Sequence, residues 1–519
     1  NMTQFDYDVS IVGFGPVAAL TALFLADSGL RGSIHERLNE ELALPRGVGL
    51  DGECVRSFQR IGVAKEVAAL LQPPRGGDEI WFANSKREKI FGVELPAGAG
   101  HHGWRDIAFF DQPELEAQLR KFVAAQPRID VFLGEEAIAI EQFDDRVSVS
   151  LRDTGGDSVR QVTASYLLGC DGASSFVRSN LGIGWTSLGY DQEWLVVDIT
   201  VEPTNDLSAA SMQICDPERI HTFICVKDPN RRWEFQLVEG ETREEMSKPE
   251  RVHELLSSWL PRDQYEIRRA VVYQFHAATA DRWRDGRVLL AGDAAHQTPP
   301  FLGQGLNAGF RDSLNLGWKL PLILSGLCDE RMLDSYFDER DAHARDLVEW
   351  AVGIGKLMET LAAQEAGKPN PHPASTQSDG YGQGRTAPAL RSGVLMMEQA
   401  PGGAPIGQHL RQPTIRLAGK DSTLFDELLG RGFAIVGRTR EDLDLGPEAA
   451  AIAKQLAIRF VNLEDIEEYE EGNELDQVFE TSPAIVVRPD RIIFGGVDAD
   501  TTLDDLVTTL GKKLALRSS

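Results

Sequence analysis

The pattern of apolar and polar residues changes character along the chain. Near the N-terminus, and again at 288–324, short apolar runs lead into glycine turns and then into apolar residues at helical spacing. Between 191 and 284, apolar and polar residues mostly alternate singly, with turns such as Asp228-Pro229-Asn230 between the runs. The first pattern predicts the strand-turn-helix units of an α/β fold, and the second predicts an inserted, mostly antiparallel β-sheet.

The C-terminal part shows a third pattern. Residues 366–411 include a stretch rich in Pro, Gly, Ser and Gln, which is typical of a linker or a surface excursion. Strands and helices then alternate, which predicts a small α/β domain. The acidic run Glu464–Glu480 is expected to form a solvated face, with docking to another subunit as the alternative. We therefore expect an α/β domain from 1–75, 105–190 and 285–365, a sheet domain from 76–104 and 191–284, a linker at 366–411 and a last domain at 412–519.

The first glycine turn has the spacing of a dinucleotide fingerprint. The apolar strand Tyr7–Val12 leads into GFGPVA, and a helical pattern follows. In such a turn Gly13 makes the bend, Gly15 lets the backbone approach a pyrophosphate, and Ala18 lets helix and strand pack closely. Glu36 ends the next strand, where a carboxylate grips a ribose hydroxyl and repels a 2'-phosphate. This turn predicts bound FAD or NAD; the alternative is a coincidental glycine turn.

Two further buried strands deliver an aspartate to a turn. Tyr166–Gly169 precedes Asp171-Gly172, and Val288–Leu290 precedes Gly292-Asp293. The second turn continues into a loop with Pro299, Pro300, Gly303 and Gly305, and then into a helix whose positive end suits an electron-rich group. Each turn alone is compatible with an ordinary connection. Together with the fingerprint, they predict one cofactor site.

Composition narrows the possible partners. The chain has 53 basic and 80 acidic residues, a net charge of -27, which argues against binding to nucleic acid or to an anionic membrane. Its five cysteines are widely spaced without a CxxC pair, so neither a disulfide framework nor a metal site is expected. No apolar stretch is long enough to span a membrane, and a cytoplasmic location is expected.

Three motifs carry a family resemblance. GFGPVA, CDGASSFVR and GDAAHQTPPFLGQGLNAG resemble, in order and spacing, the flavin motifs of single-component flavoprotein aromatic hydroxylases of the para-hydroxybenzoate hydroxylase fold. The 3-(3-hydroxyphenyl)propionate hydroxylases are the most similar branch, and the resemblance is strong over Tyr7 to Trp350. It implies a Rossmann-like FAD-binding domain, an inserted substrate sheet and a C-terminal thioredoxin-like domain. In that last domain Ser482-Pro483 would supply the cis-proline, and the lack of cysteines argues against redox function.

The resemblance also implies cofactor contacts. Glu36 would bind the adenosine ribose, Arg46 and Gln112 the phosphate and ribityl chain, and Asp171 would support both FAD and the nicotinamide donor. Leu306 and Asn307 would donate backbone N–H groups to the N1–C2=O side of the isoalloxazine. The full expected set is Gly13, Gly15, Pro16, Ala18, Glu36, Arg37, Arg46, Gln112, Asp171, Gly292, Asp293, Pro300, Gly303, Gln304, Gly305, Leu306 and Asn307.

The implied reaction is hydroxylation of a phenol, ortho to its hydroxyl, with NAD(P)H and O2 through a flavin C4a-hydroperoxide. Pro300, His221 and Tyr273 are candidates for the base or the pocket wall, with plain structural roles as the alternative. His296 is expected to order its loop. The expected substrate contacts are Val48, Trp233, Phe301 and Leu302.

Two alternative functions stay open: a tailoring hydroxylase for a larger polyketide-like aromatic, and a non-catalytic flavin-binding protein. A flavin halogenase is disfavoured because the chain has no WxWxIP segment. A homodimer is one alternative for the assembly.

Overall fold

The computed structural model describes residues 5–42, 44–75, 79–300, 303–373, 387–470 and 474–518. The first part of the chain forms the strands β1 (Tyr7–Val12), β2 (Gly32–Glu36), β3 (Gly49–Asp51), β4 (Glu79–Ala83), β5 (Lys89–Glu94), β6 (Ile107–Phe109), β7 (Ile129–Leu133), β8 (Glu135–Gln142), β9 (Val147–Asp153) and β10 (Val159–Gly169). The middle forms β11 (Trp185–Val201), β12 (Ser211–Ile214), β13 (His221–Ile224), β14 (Asn230–Gln236), β15 (Tyr265–Ala280), β16 (Arg284–Asp285), β17 (Val288–Leu290) and β18 (His296–Gln297). The last part forms β19 (Thr414–Leu417), β20 (Thr423–Leu424), β21 (Ala434–Gly437), β22 (Arg459–Asn462), β23 (Ile466–Tyr469), β24 (Ala484–Val487) and β25 (Ile493–Gly496).

The helices mostly follow the predicted periodicity. Helix α1 begins three residues earlier than its apolar spacing suggests, because Pro16 suits the first helical position. The helices are α1 (Pro16–Asp27), α2 (Gly52–Arg60), α3 (Ala64–Ala68), α4 (Gln112–Ala124), α5 (Phe176–Asn180), α6 (Arg243–Met246), α7 (Pro249–Leu256), α8 (Gly305–Leu324), α9 (Asp334–Glu365), α10 (Asp426–Leu429), α11 (Pro447–Gln455), α12 (Glu474–Thr481) and α13 (Leu503–Lys513). Among these described helices, none combines the length and the apolar character needed to cross a membrane.

The N-terminal sheet brings the three glycine turns together. Its strand order is β16-β17-β10-β1-β2-β7, and β1, β10 and β17 run parallel. Val12 pairs with Gly169, and Gly169 pairs with Leu290, so these three strands end in register. The turns that follow them therefore lie at one edge of the sheet, where ligands of open α/β sheets bind.

The middle sheet has the order β18-β15-β11-β14-β13-β12-β4-β5. Its pairings are antiparallel except for β12 with β4. One face, which we call the outer face, packs Leu195, Phe223 and Trp233 against α7. The other face, the inner face, carries the residues that alternate with these and is turned toward the N-terminal domain.

The C-terminal part contains a four-stranded sheet of order β22-β21-β24-β25. Strands β21 and β22 are parallel, whereas the other two pairings are antiparallel. The Ser482-Pro483 bond is not among the cis peptide bonds of the described residues, so the expected cis-proline is wrong. The acidic run contributes β23 and α12, and Glu467 and Glu468 pair with Arg416 at a partly exposed edge.

Buried ion pairs join the C-terminal part to the helices of the N-terminal domain. Arg56 contacts Asp426 at 2.6 Å, and Arg488 contacts Glu339 at 2.9 Å. Lys319 lies 2.9 Å from the same Glu339 carboxylate. Removing one partner would leave a buried charge unpaired, so these contacts hold α2, α8 and α9 against the C-terminal part.

Candidate active site

The fingerprint turn leaves open space in front of α1. Gly13 has φ +99°, and a Cβ there would lie 2.3 Å from the carbonyl oxygen of Cys170, so only glycine fits. A Cβ on Gly15 would meet no atom within 4 Å, although this residue is half-buried at the start of α1. Pro16 opens the helix and Ala18 is fully buried against the strand. The helix N-terminus thus faces a cradle wide enough for phosphate oxygens.

Glu36 lies beside that cradle. Its carboxylate accepts hydrogen bonds from the backbone N–H groups of Phe14 and Leu38, both at 2.9 Å. These bonds orient the carboxylate and leave further acceptor sites for ribose hydroxyls. Arg37, its neighbour, is exposed. Arg120, which sequence reasoning missed, donates to the Phe14 carbonyl at 3.1 Å and lies over the Phe14 ring. No sequence spacing links α4 to this turn.

The Asp171 carboxylate accepts hydrogen bonds from residues of its own turn. One carboxylate oxygen accepts from the Ser175 hydroxyl and the other from the Val177 N–H at 3.0 Å. Burial raises the pKa of Asp171, and these hydrogen bonds oppose that rise. The carboxylate therefore orders the start of α5. Gly172, in the left-handed region at φ +79°, leaves open space beside it.

The Gly292 turn is held by a buried ion cluster that the sequence did not reveal. The Gly292 N–H donates to Asp312 at 3.0 Å, and His296 Nε2 lies 2.6 Å from the same oxygen. Arg340 donates to the other Asp312 oxygen at 2.8 Å. His296 therefore orders the loop, as expected. Asp312 and Arg340 lie on two different helices, so no local pattern could have paired them.

Asp293 lies in the turn after β17, at the sheet edge where the glycine turns leave a recess. Its side chain is exposed to solvent, while desolvation by the surrounding protein raises the pKa of its carboxyl group and nearby His296 and Arg46 lower it. An exposed carboxylate can accept hydrogen bonds from a ligand in the recess.

Arg46 and Gln112 lie together beside that recess. Arg46 contacts Glu116 at 3.3 Å, and Gln112 donates to the same Glu116 oxygen at 2.6 Å. Gln112 also accepts from the Gly47 N–H, which fixes the loop that contains Val48. Glu116 is the member of this cluster that sequence reasoning missed.

The start of α8 faces open space as well. A Cβ on Gly303 or Gly305 would meet no atom within 4 Å, and Gly303 has φ +60°. The Asn307 side chain donates to Gly303 O at 2.8 Å and to Gly49 O at 3.1 Å, so it fastens the helix start to β3. Gln304 is engaged by Arg311 at 3.0 Å. A Cβ on Gly47 would lie 3.4 Å from Leu306, which places the two loops in contact.

Charged residues on the inner face hold the Pro45–Val48 loop. Arg232 donates to the carbonyl oxygens of Pro45 and Arg46, the second at 2.6 Å. Arg269 donates to Pro45 O at 2.8 Å and to the Tyr273 hydroxyl at 3.0 Å. Asp198 lies between the two guanidinium groups at 2.7 Å from each. The inner face is therefore the side of the sheet that adjoins the glycine-lined recess.

Two expected site residues lie on the other side of this sheet. Trp233 is fully buried on the outer face, with its ring 5.0 Å from Phe223 and 5.4 Å from Trp259. His221 stacks on Phe235 at 5.4 Å, and its Nδ1 lies 2.8 Å from Arg219 O. Because successive side chains of a strand point to opposite faces, neither reaches the inner face, and their assignment to the pocket is corrected. Tyr273 is on the inner face and half-buried.

Pro300 is half-buried at the end of the described loop and accepts from the Gly303 N–H at 3.1 Å. Phe301 and Leu302, the other expected pocket residues of this loop, lie outside the described residues.

One group of metal-ligating residues exists among the described residues. Glu53, His102 and His409 place ligand atoms within 4.8 Å of one another. Arg311 donates to Glu53 at 2.8 Å, and Arg56 lies 3.3 Å from His102 Nδ1. Two adjacent guanidinium groups, those of Arg311 and Arg56, disfavour a cation at this group of residues.

The recess fits FAD. Three glycine-lined openings leave room for a flat, anionic ligand, two helix N-termini face them, and the accessible carboxylates of Glu36 and Asp293 can accept from ribose and ribityl hydroxyls.

Comparison with known proteins points the same way. Residues 6–351 match the family described as FAD binding domain, and residues 407–513 match the HcaD C-terminal domain. A 3-(3-hydroxy-phenyl)propionate/3-hydroxycinnamic acid hydroxylase of Klebsiella pneumoniae subsp. pneumoniae is 30% identical over 99% of this chain and 96% of the relative. The protein of the same name from Escherichia coli strain K12 is 32% identical over 83% of this chain and 77% of the relative.

Solved structures show the same fold. Aklavinone-11 hydroxylase in a ternary complex with FAD and aklavinone has a TM-score of 0.82 at 25% identity, covering 99% of this chain and 100% of that one. The flavin-dependent monooxygenase PieE, in complex with FAD and substrate, has a TM-score of 0.80 at 20% identity, covering 98% and 99%. The chain belongs to the FAD binding domain family and is a flavoprotein aromatic monooxygenase.

Proposed function

We propose that this protein hydroxylates a phenolic ring ortho to its hydroxyl, with NAD(P)H as reductant and O2 as oxygen source. The proposal rests on one observation. The Pro45–Val48 loop lies beside the glycine-lined recess and is hydrogen-bonded to charged, buried residues of the inner sheet face. Relatives named 3-(3-hydroxy-phenyl)propionate/3-hydroxycinnamic acid hydroxylase support a single-ring phenol as the substrate.

Different residues of the recess would bind different parts of FAD. The first turn of α1, behind Gly13, Gly15, Pro16 and Ala18, would bind the pyrophosphate, and Glu36 the adenosine ribose. Arg46, Gln112 and Asp293 would bind the phosphate and ribityl chain. The start of α8 would face the isoalloxazine edge, with Gly303 and Gly305 allowing close approach of the backbone.

Bound FAD supplies hydride acceptance from the nicotinamide and activation of O2. The chain supplies the surroundings. The positive end of α8 would stabilise negative charge on the flavin ring without a mobile cation. Pro300 would shield the reacting edge from water. The single dinucleotide fingerprint is assigned to FAD, so NAD(P)H would bind transiently without a fingerprint of its own. Asp171 and Gly172 would shape the turn that lies near both FAD and NAD(P)H.

We also infer that the C-terminal domain, from about residue 412, is thioredoxin-like. Its strand order and directions, a parallel β21–β22 pair followed by the antiparallel β24 and β25, support this. The domain contains no cysteine, so we assign it a structural role. The pairing of β4 with β12 supports the expected discontinuous sheet domain from 76–104 and 191–284.

A second candidate is hydroxylation of a larger, fused-ring aromatic. The likeness to aklavinone-11 hydroxylase, with a TM-score of 0.82, favours it. Turnover with single-ring phenols and with fused-ring phenols would separate the two, because a pocket closed around one ring rejects the larger substrate.

The test combines flavin content with phenol-stimulated turnover. The purified protein should carry FAD, and a phenol should accelerate NAD(P)H oxidation while a hydroxylated product accumulates. A protein without flavin, or bound FAD that NAD(P)H does not reduce even with phenols present, would refute the proposal.

A further inference from the structure

A row of polar residues crosses the inner face of the middle sheet. Gln213 pairs with Thr222 across β12 and β13, and Thr222 pairs with Glu234 across β13 and β14. The Thr222 hydroxyl donates to Glu234 Oε2 at 3.3 Å. The Gln213 Oε1 is buried and has no hydrogen-bond partner among the described residues. A buried acceptor without a donor is costly, so a ligand that donates a hydrogen bond to Gln213 would be favoured here.

The row lies between two walls. Arg232, which holds the Pro45–Val48 loop, precedes Glu234 on the same face by two residues, about 6.6 Å along the strand. On the other side, Trp194 packs with Ile354 and Met358 of α9. A substrate ring between these walls would have one edge toward the recess and the other toward Glu234.

The same row is open at one side. Val196 pairs with Glu234 on one side and with Val271 on the other, so the three share a face. Val271 is 38% exposed, and Tyr273 next to it on this face is half-buried. The row is therefore exposed at its β15 end, whereas Val196 and Glu234 are 2% and 4% exposed.

The charges around Glu234 are balanced. Arg232 lies 3.9 Å from its carboxylate, Arg269 and Asp198 also act on it, Glu234 acts on Tyr190, and the Tyr273 hydroxyl accepts from Arg269. On α9, Glu359 acts on Tyr190. Burial raises the pKa of Glu234 to about 7, while Arg232 opposes the rise. A base with a pKa near the working pH is the most effective kind.

We propose that Glu234 contacts the substrate hydroxyl and acts as the base that removes its proton, with Gln213 accepting a hydrogen bond from a further polar group of the substrate. This inference rests on the proposed function. The phenolic O–H bond breaks and an O–H bond forms on the Glu234 carboxyl group. The electron pair left on the phenolate oxygen enriches the ortho carbon, which then takes the oxygen atom derived from O2.

This proton transfer creates no net charge in the buried row. Before it, the carboxylates of Asp198 and Glu234 balance the guanidinium groups of Arg232 and Arg269. After it, phenolate and Asp198 balance the same two cations. Rearomatisation moves the proton of the attacked carbon to the original oxygen, which restores its hydroxyl, and Glu234 returns its proton to solvent.

The primary test is Glu234→Gln, compared with Glu193→Gln, an outer-face carboxylate paired with the exposed Arg243. Wild type should form product at a rate that rises through an inflection near pH 7. E234Q should form product about 100-fold more slowly at pH 7, the size expected for loss of a general base, and should lose that inflection. E193Q should behave as wild type.

A fluorinated phenol, already ionised at pH 7, separates a base from a structural residue. It should restore E234Q to within about threefold of the wild-type rate, because no proton needs removal. Failure of this rescue in E234Q with normal FAD content and normal reduction by NAD(P)H would overturn the proposal. So would an unchanged rate and pH profile with ordinary phenols.

Thr222→Val keeps the inference testable even when E234Q does not fold. The Thr222 hydrogen bond favours the ionised carboxylate, so its loss should raise the pKa of Glu234 and move the inflection of product formation to higher pH. An inflection that does not move would count against Glu234. Absence of phenol-dependent product from wild type would instead refute the proposed function itself.

Discussion

The two faces of the middle sheet have the same backbone and opposite chemistry. On the outer face, Trp233, Phe223 and Trp259 form an aromatic cluster against α7. On the inner face, Asp198 and Arg232 form buried ion pairs that hold the loop beside the recess. Alternation alone places residues on two faces, but it does not say which face adjoins the cofactor. In this sheet the aromatic residues form the core, and the charged residues contact the loop beside the recess.

The inner-face charges are tolerable because each has partners. Arg232 and Arg269 share Asp198 and also donate to main-chain carbonyls of the Pro45–Val48 loop. The ion cluster thereby connects the middle sheet to the recess. The aromatic residues of the outer face pack against α7 instead, so changes on the two faces should separate stability from catalysis.

Asp198→Ala should have the largest effect. It leaves two buried guanidinium groups without their carboxylate, which should lower the free energy of unfolding by about 3–5 kcal/mol. The freed loop should also weaken FAD binding. Urea unfolding and FAD absorbance check both, and a variant as stable as wild type with full flavin content would contradict the role given to the inner face.

Trp233→Phe should cost stability without changing the chemistry. Loss of part of a fully buried ring should lower the free energy of unfolding by about 1–2 kcal/mol. Product formed per NAD(P)H should stay within about twofold of wild type, since changes away from the reacting groups leave the barrier unaltered. A variant that lost hydroxylation while keeping its stability would contradict the assignment of the outer face to the core.

His221→Gln should cost about 1 kcal/mol through the lost contact with Arg219 O. Burial lowers the pKa of His221, so below pH 6.5 the unfolded chain takes up a proton that the folded chain resists. Stability should therefore fall as pH drops below about 6.5 in wild type, and less so in the variant. Unfolding at pH 5.5 and 7.5 measures this, and the pH profile of product formation should not change.

Tyr273→Phe should have the smallest effect. Its hydroxyl accepts one hydrogen bond from Arg269, worth about 0.5–1.5 kcal/mol. Turnover should stay within about threefold of wild type. A loss of about 100-fold, the size expected for removal of the base, would transfer that role from Glu234 to Tyr273.

Local patterns predicted the flavin side well. The strand Tyr7–Val12 and the helix Gly305–Leu324 have the predicted bounds, because glycine turns and apolar spacing act within a few residues. The in-register ends of β1, β10 and β17 explain why three separate turns meet.

Long-range contacts could not be read from the sequence. Asp312 and Arg340 hold the Gly292 turn from helices far along the chain, and Glu234 stands among strands that only the fold pairs. Aromatic content suggested Trp233 as a pocket residue, but the packing of α7 on that face decides otherwise. The trans Ser482-Pro483 bond likewise departs from the pattern that the family resemblance implied.

Incorporation of labelled oxygen tests the enzyme's reaction most directly. Wild-type protein with NAD(P)H, ¹⁸O2 and a panel of phenols should yield a product with one ¹⁸O atom in a new hydroxyl, ortho to the original one. Product should approach one molecule per NAD(P)H oxidised. NAD(P)H oxidation that is independent of phenol, or a product without the label, would contradict a flavin-dependent phenol hydroxylase.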